Sequence, residues 1–215
     1  MNRFLKIAFV LLVIRPVVLI MLGLTVRNRE NLPRIGPAII AANHNSHLDT
    51  MIMFYLYPLS KVHKLRPVAA ADYFLANPIV AWFSTKVIGI IPLPRSGFNK
   101  DQNIFEECER ALDDEDILIL FPEGTRGQPE QVSRLKKGIY RLAVSRPDVK
   151  VVPLVTYGLG RSLPKGEALF VPFNCDVVVG EPIDFFASST EFMASLSWRF
   201  DELLKMCSTR MKKRD

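Results

Sequence analysis

The run Ile117-Leu118-Ile119-Leu120-Phe121 contains no side chain able to hydrogen-bond, and it stops abruptly at Pro122-Glu123-Gly124. A strand whose successive side chains point to opposite faces can be apolar at every position only if both faces are covered, which is the situation of a central strand in a parallel sheet. Related runs recur along the chain and give candidate strands at Pro37–Ala42, Arg66–Ala70, Ile90–Leu93, Val149–Thr156 and Ala168–Val179. Between them lie candidate helices at Leu48–Tyr57, Pro78–Val87, Gln102–Leu112, Lys137–Ser145 and Thr190–Met211, the first of the longer ones capped by Asn99 or Asp101 just before Gln102. Strand and helix alternating at these lengths define an α/β fold. The expectation is a single domain with a central mixed β-sheet flanked by helices. With 215 residues and 49% apolar side chains the chain can bury one sizeable core, which excludes a disordered polypeptide.

A second constraint lies ahead of the first strand. From Phe4 to Val26 only Lys6, Arg15 and Thr25 interrupt the apolar character, while Arg3, Arg27 and Arg29 bracket the run. Its length would suffice to span a bilayer. Arg15 and Pro16 stand at its middle, however, and a central Arg costs a spanning helix about 2.5–3.5 kcal/mol while Pro removes a helical hydrogen bond. Two short apolar helices lying in one leaflet, with Arg15 reaching the headgroups, are therefore expected. No small-residue cleavage site follows Leu24, so a removed signal peptide is not expected. The resulting division is a membrane-associating helical segment over 1–29 and a domain over 30–215 that ends in a helix and the short basic tail Met211–Asp215.

The net charge of +6 favours anionic partners in general. Nucleic acid is not expected among them, because basic residues are not clustered and interleaved with aromatics. Cys108, Cys175 and Cys207 are odd in number and far apart, which offers neither a disulfide framework nor a Cys-rich metal site and fits a reducing, cytosol-facing compartment.

Polar chemistry concentrates where apolar runs end. Directly after Ala38-Ile39-Ile40-Ala41 come Ala42-Asn43-His44-Asn45-Ser46-His47-Leu48-Asp49, placing His44 and Asp49 five positions apart at the end of a strand. Histidine exchanges protons near neutral pH, and a neighbouring carboxylate fixes its tautomer and stabilises the imidazolium. His47 stands three residues on, but a metal site would need further ligands that only Glu123 or the distant His63 could supply, so no metal is expected. Ser46 lacks the flanking glycines of a nucleophile elbow and reads as a turn residue. Ile88–Gly97 delivers Arg95 on a proline-stiffened loop suited to bidentate phosphate recognition. Pro122-Glu123-Gly124-Thr125-Arg126 places a carboxylate, a glycine, a hydroxyl and a guanidinium in one loop, where Glu123 and Arg126 could also pair with each other. Pro153 interrupts Val151–Val155 and argues against a central ladder position there.

Taken together, Asn43–Asp49, Gly89–Arg95, Phe121–Arg126 and Val151–Leu154, with Leu135-Lys136-Lys137-Gly138 downstream of the third, resemble the ordered blocks of the glycerolipid acyltransferase family, whose best-known members are 1-acylglycerol-3-phosphate acyltransferases. The similarity spans residues 30–185, and the succession of the His-x4-Asp block and Phe-Pro-Glu-Gly-Thr-Arg is highly specific. The resemblance implies that His44 is the general base, Asp49 its orienting partner, and that Arg95, Glu123, Gly124, Thr125 and Arg126 bind the phosphate and glycerol of the acceptor. It also implies acyl-CoA or acyl carrier protein as donor, a lysophospholipid acceptor, no cofactor, and a place at the cytoplasmic face of a membrane. The segment around Pro153 is similar to the part associated with the acyl donor. Gly127 stands where a serine is common and Leu154 where a valine is common, departures that bear on acceptor identity more than on chemistry.

Overall fold

A computed structural model describes residues 1–46, 48–95, 103–128, 130–159, 173–184 and 188–209. Seven strands form one sheet: β1 (Leu22–Arg27), β2 (Ala38–Ala42), β3 (Leu65–Ala70), β4 (Ile91–Leu93), β5 (Ile117–Leu120), β6 (Lys150–Tyr157) and β7 (Phe173–Val179), in the order β1-β7-β6-β2-β5-β3-β4. Every pairing is parallel except β6 with β7, so the sheet is mixed as expected. β2 and β5 are buried at every position, and their alternate side chains enter two different cores. Ile39, Ala41, Leu118 and Leu120 join the core beneath the helices Glu106–Asp113, Gly138–Ser145 and Ser189–Lys205. Ala38, Ile40, Ile117 and Ile119 join the other, beneath the amino-terminal helix and Leu48–Leu56.

That division of layers positions the site. β2 is followed by the Leu48–Leu56 helix on one face of the sheet, whereas its neighbour β5 leads to Gly138–Ser145 on the opposite face. The loops leaving adjacent strands diverge here and open a crevice at their carboxyl ends, the place where open α/β sheets bind ligands. His44 follows β2 and the Pro122–Arg126 loop follows β5, so both border the crevice.

Several expectations change. The amino-terminal apolar segment is not two helices but one helix, Arg3–Met21, with a wider π turn at Val10–Ile14 that carries it past Pro16. Helical structure does not run to residue 29, because Leu22–Arg27 is an edge strand paired with β7. The alternation buried-exposed over Leu22, Gly23 and Leu24 is masked in sequence by uniform hydrophobicity. Pro153 does sit in a central strand, opposite Ala41 of β2. Its carbonyl accepts from Gly180 N at 2.8 Å, and since a strand residue's N and O point the same way, its missing N–H faces the place where the β6–β7 ladder has not begun. The helix expected from Gln102 starts at Glu106 and the last helix ends at Lys205. Asn99, Asp101, Gln102, Met211, the basic tail and Ala168–Val171 of the expected last strand lie outside the described residues. The three cysteines are buried thiols in no disulfide, and burial pushes the Cys108 thiol up to about 12.

Candidate active site

Asp49 is fully buried in the first turn of the Leu48–Leu56 helix, where the helix dipole favours a carboxylate. Four donors hold it. Its Oδ2 faces His44 Nδ1 at 3.0 Å and accepts from Asn45 N and Ser46 N, each at 2.8 Å. Its Oδ1 accepts from the Thr156 hydroxyl at 2.9 Å. A carboxylate can only accept, so in the neutral ring the His44 proton sits on Nδ1 and Nε2 is left as the basic nitrogen. Phe121 stacks on the imidazole with centroids 4.2 Å apart and planes inclined by 22°, which fixes the ring's plane.

β6 locks the loop that carries His44. Thr156 N donates to Asn43 Oδ1 at 2.7 Å, while Asn43 Nδ2 and Asn45 Nδ2 both donate to Thr156 O at 2.9 Å. The two asparagines thereby satisfy backbone groups where the β2–β6 ladder ends. The Val151–Leu154 block does not line the crevice; Thr156, just beyond it, reaches Asp49.

Glu123 departs from its expected place against a substrate. It is buried, one carboxylate oxygen accepts from His44 N at 2.7 Å and the other from Ser133 N at 2.7 Å. It does not line the crevice and makes no pair with Arg126. Burial pushes its pKa above the ordinary carboxylate range, against the opposing pull of the two backbone N–H groups. Glu123 therefore ties the β5 loop to the backbone of His44.

The other expected residues do converge. A cavity of about 870 Å³ runs from His44 past Arg95, Gly124, Thr125 and Arg126 into an apolar part walled by Phe9, Ile14, Phe54, Phe83 and Ile88. That size is at the upper end of small-molecule sites. Arg95 donates to Gly124 O at 2.7 Å and pairs with Asp72 at 3.6 Å, so its guanidinium is held at the cavity edge. Gly124 adopts φ +72, and a Cβ there would lie 2.7 Å from Lys136 Nζ, which explains glycine at this turn. Among the described residues no hydrogen bond or ion pair engages the Arg126 guanidinium or the Lys136 ammonium, both on the cavity wall. Lys136, exposed just ahead of the Gly138–Ser145 helix, lies over Gly124. Sequence reasoning also missed Thr156, Asn43 and Phe121 as supports, and only their position at strand ends hinted at them. His63 is part of a short 3-10 turn and half-buried. His47, Ser96 and Gly97 lie outside the described residues. Among those described, no group of three potential metal ligands comes together.

Comparison with known proteins agrees with this geometry. The acyltransferase family model matches residues 23–157, well over half of the chain. The chain belongs to this acyltransferase family. A 1-acyl-sn-glycerol-3-phosphate acyltransferase of Chlamydomonas reinhardtii is 31% identical over 72% of this chain and 45% of its own length. The human 1-acyl-sn-glycerol-3-phosphate acyltransferase alpha is 27% identical over 74% of this chain and 54% of its own length. The chain thus spans about half the length of these curated relatives. The crystal structure of the 1-acyl-sn-glycerophosphate acyltransferase PlsC from Thermotoga maritima superposes with a TM-score of 0.75 over 97% of this chain and 82% of that one, at 21% identity, and shares its fold.

Proposed function

We propose that this chain transfers a fatty acyl group from acyl-CoA or acyl carrier protein to the free hydroxyl of a lysophospholipid, 1-acylglycerol-3-phosphate first among them. The observation that carries the reading is the His44–Asp49 pair at the junction of an apolar cavity and a rim bearing Arg95, Arg126 and Lys136. The cavity accepts a hydrocarbon chain, the cations accept a phosphate, and the base stands between them. Family membership and the names of the relatives support the acyl transfer and the acceptor; the residue roles rest on this geometry.

His44 Nε2 takes the proton of the acceptor hydroxyl as its oxygen attacks the thioester carbonyl. Asp49 stabilises the imidazolium that results, its four donors keeping it from rotating toward another partner. Collapse of the tetrahedral intermediate expels the thiolate, which recovers the proton from His44. The oxyanion calls for positioned N–H donors. The Gly124 amide is not free for this, since it donates to Phe121 O at 2.9 Å. No covalent acyl-enzyme is required, in keeping with a Ser46 that is buried beneath the loop.

The amino-terminal helix supports a place for this chemistry at a membrane. By length and composition it is apolar enough to cross one. Lys6, Val10, Ile14 and Val18 are nevertheless buried against the domain along its length, while Phe4, Leu12, Leu19 and Ile20 face outward. A helix held to a globular domain along one side cannot be surrounded by lipid, which supports a helix lying in one leaflet with its outward side toward acyl chains; we assign that leaflet to the cytoplasmic face. The reaction is tested with purified protein, mixed lysolipids and acyl donors, reading products by mass spectrometry. His44→Ala is expected to abolish transfer with fold and vesicle binding intact; retained turnover would overturn the assignment.

A further inference from the structure

Among the described residues, a concentration of exposed large apolar side chains outside the amino-terminal helix lies on Tyr73–Trp82 and the helix Pro78–Ile88. Tyr73, Leu75, Ile79, Val80 and Trp82 are 54%, 46%, 77%, 42% and 55% exposed. So many large apolar side chains in one ten-residue stretch are not explained by a folded core. We propose that this segment is a second membrane-contact element, which together with the amino-terminal helix seats the cavity mouth on an anionic leaflet. The proposal rests on the lipid-acyltransferase reading of the site and extends it to a surface outside residues 1–29.

Three observations favour a leaflet as the occupant. First, the segment continues the apolar face of the amino-terminal helix. Asn2 N donates to Lys86 O at 2.7 Å and Phe9 packs edge-on against Phe83 at 5.1 Å, so the two helices run side by side in opposite directions. Second, its helix start and its hydroxyls are satisfied within the segment, as an apolar phase demands. Asn77 caps Ile79 N and Val80 N at 2.9 and 3.3 Å, and the Ser84 and Thr85 hydroxyls both donate back to Ala81 O. Third, the charge is of one sign. Residues 1–29 and 73–95 contain no Asp or Glu, Asp72 just before the second stretch is paired with Arg95, and the exposed Arg3 and Lys86 both lie at the end of the helix pair marked by the Asn2–Lys86 bond. Tryptophan at the edge of such a surface suits the interface between headgroups and acyl chains. Phe9 and Ile14 of one helix and Val80 and Phe83 of the other line the cavity. A protein partner seated there would stopper the mouth, whereas a leaflet would face it with substrate.

The chain has two tryptophans, Trp82 here and Trp198 on the Ser189–Lys205 helix across the sheet. In full-length protein carrying Trp198→Phe, Trp82 emission is expected to shift to the blue and to be quenched by vesicles of phosphatidylcholine and phosphatidylglycerol brominated along their chains. The reciprocal Trp82→Phe protein, reporting Trp198, is expected to show neither. Ile79→Glu, at a position that does not touch the cavity, is expected to weaken vesicle binding about tenfold while turnover on a monomeric short-chain acceptor stays unchanged. Flotation with vesicles but no quenching of Trp82 would overturn this inference and leave the amino-terminal helix as the membrane contact. Absence of flotation would overturn that reading as well. Trp82 shielded from aqueous iodide in a lipid-free dimer would assign the surface to a second copy instead.

Discussion

Thr156 Oγ1 donates to the Asp49 oxygen that His44 leaves free, at 2.9 Å, from a strand 107 residues further along the chain. Its own backbone N and O are held by Asn43 and Asn45 on either side of His44. One residue of β6 thus orients both members of the dyad. Thr156→Val preserves shape and removes the donor, leaving a buried carboxylate oxygen unpaired. A hydrogen bond to a charged group contributes about 1.5–3 kcal/mol. We expect kcat to fall about 10- to 100-fold with KM little changed, because Thr156 does not touch the cavity. Thr156→Ser, which restores the hydroxyl, is expected to recover most of the loss; steady-state kinetics of the two variants checks this.

Glu123 is expected to act on structure rather than on acceptor binding. Glu123→Gln keeps one acceptor but turns an NH2 toward a backbone N–H of His44 or Ser133, and an unsatisfied buried donor costs about 1–3 kcal/mol. The variant should melt lower at neutral pH and lose kcat through a displaced His44, with KM for the acceptor nearly unaltered. Because burial raises the Glu123 pKa, the folded protein holds this proton more tightly than the unfolded chain. Its contribution to stability is therefore greatest below the unfolded pKa and declines as pH rises through the folded one. Thermal melts across that window should show wild type gaining on Glu123→Gln as pH falls.

Lys136 and Arg126 should carry the acceptor's phosphate. Neither has a partner among the described residues, and both line the cavity beside Gly124. Lys136→Met is expected to raise KM for a phosphate-bearing acceptor about tenfold, the loss of one charge-assisted contact. KM for the acyl donor should change much less. An equal loss with an acceptor that lacks phosphate would remove Lys136 from phosphate recognition.

Residue pattern made the central strands legible because a fully apolar run such as Ile117–Phe121 has few places to go, and the His44 and Glu123 loops were legible because short motifs follow strand ends directly. What could not be read was long-range pairing. β1 looks like the continuation of a helix, since Leu22-Gly23-Leu24 differs little from the residues before it and only contact with β7 decides its state. Glu123 looked like a substrate ligand because its charge is visible in sequence, whereas the two amides that occupy it belong to residues 79 and 10 positions away. Thr156 was invisible for the same reason, its motif being Asp49 in space and nothing in sequence.

Lys6 supplies the last test, of how the amino-terminal helix is fixed. Fully buried, its Nζ donates to Leu65 O at the start of β3 and lies 4.4 Å from the centroid of Phe54. Burial, aided by the Arg66 guanidinium, holds this amine well below the usual lysine range. A lysine with a lowered folded pKa binds fewer protons when folded than when unfolded, so stability declines as pH falls below the ordinary lysine value and rises toward alkaline pH. Lys6→Met keeps the stem's packing, removes the charge and leaves the Leu65 carbonyl one donor short. The variant no longer has to desolvate an amine, which offsets the loss of one hydrogen bond to the carbonyl. The variant is expected to keep its activity and melt no lower than wild type at pH 7, while wild type alone gains melting temperature between neutral and alkaline pH. Melts of both proteins in the same detergent across that range check this, and a parallel alkaline gain in Lys6→Met would remove Lys6 as its source.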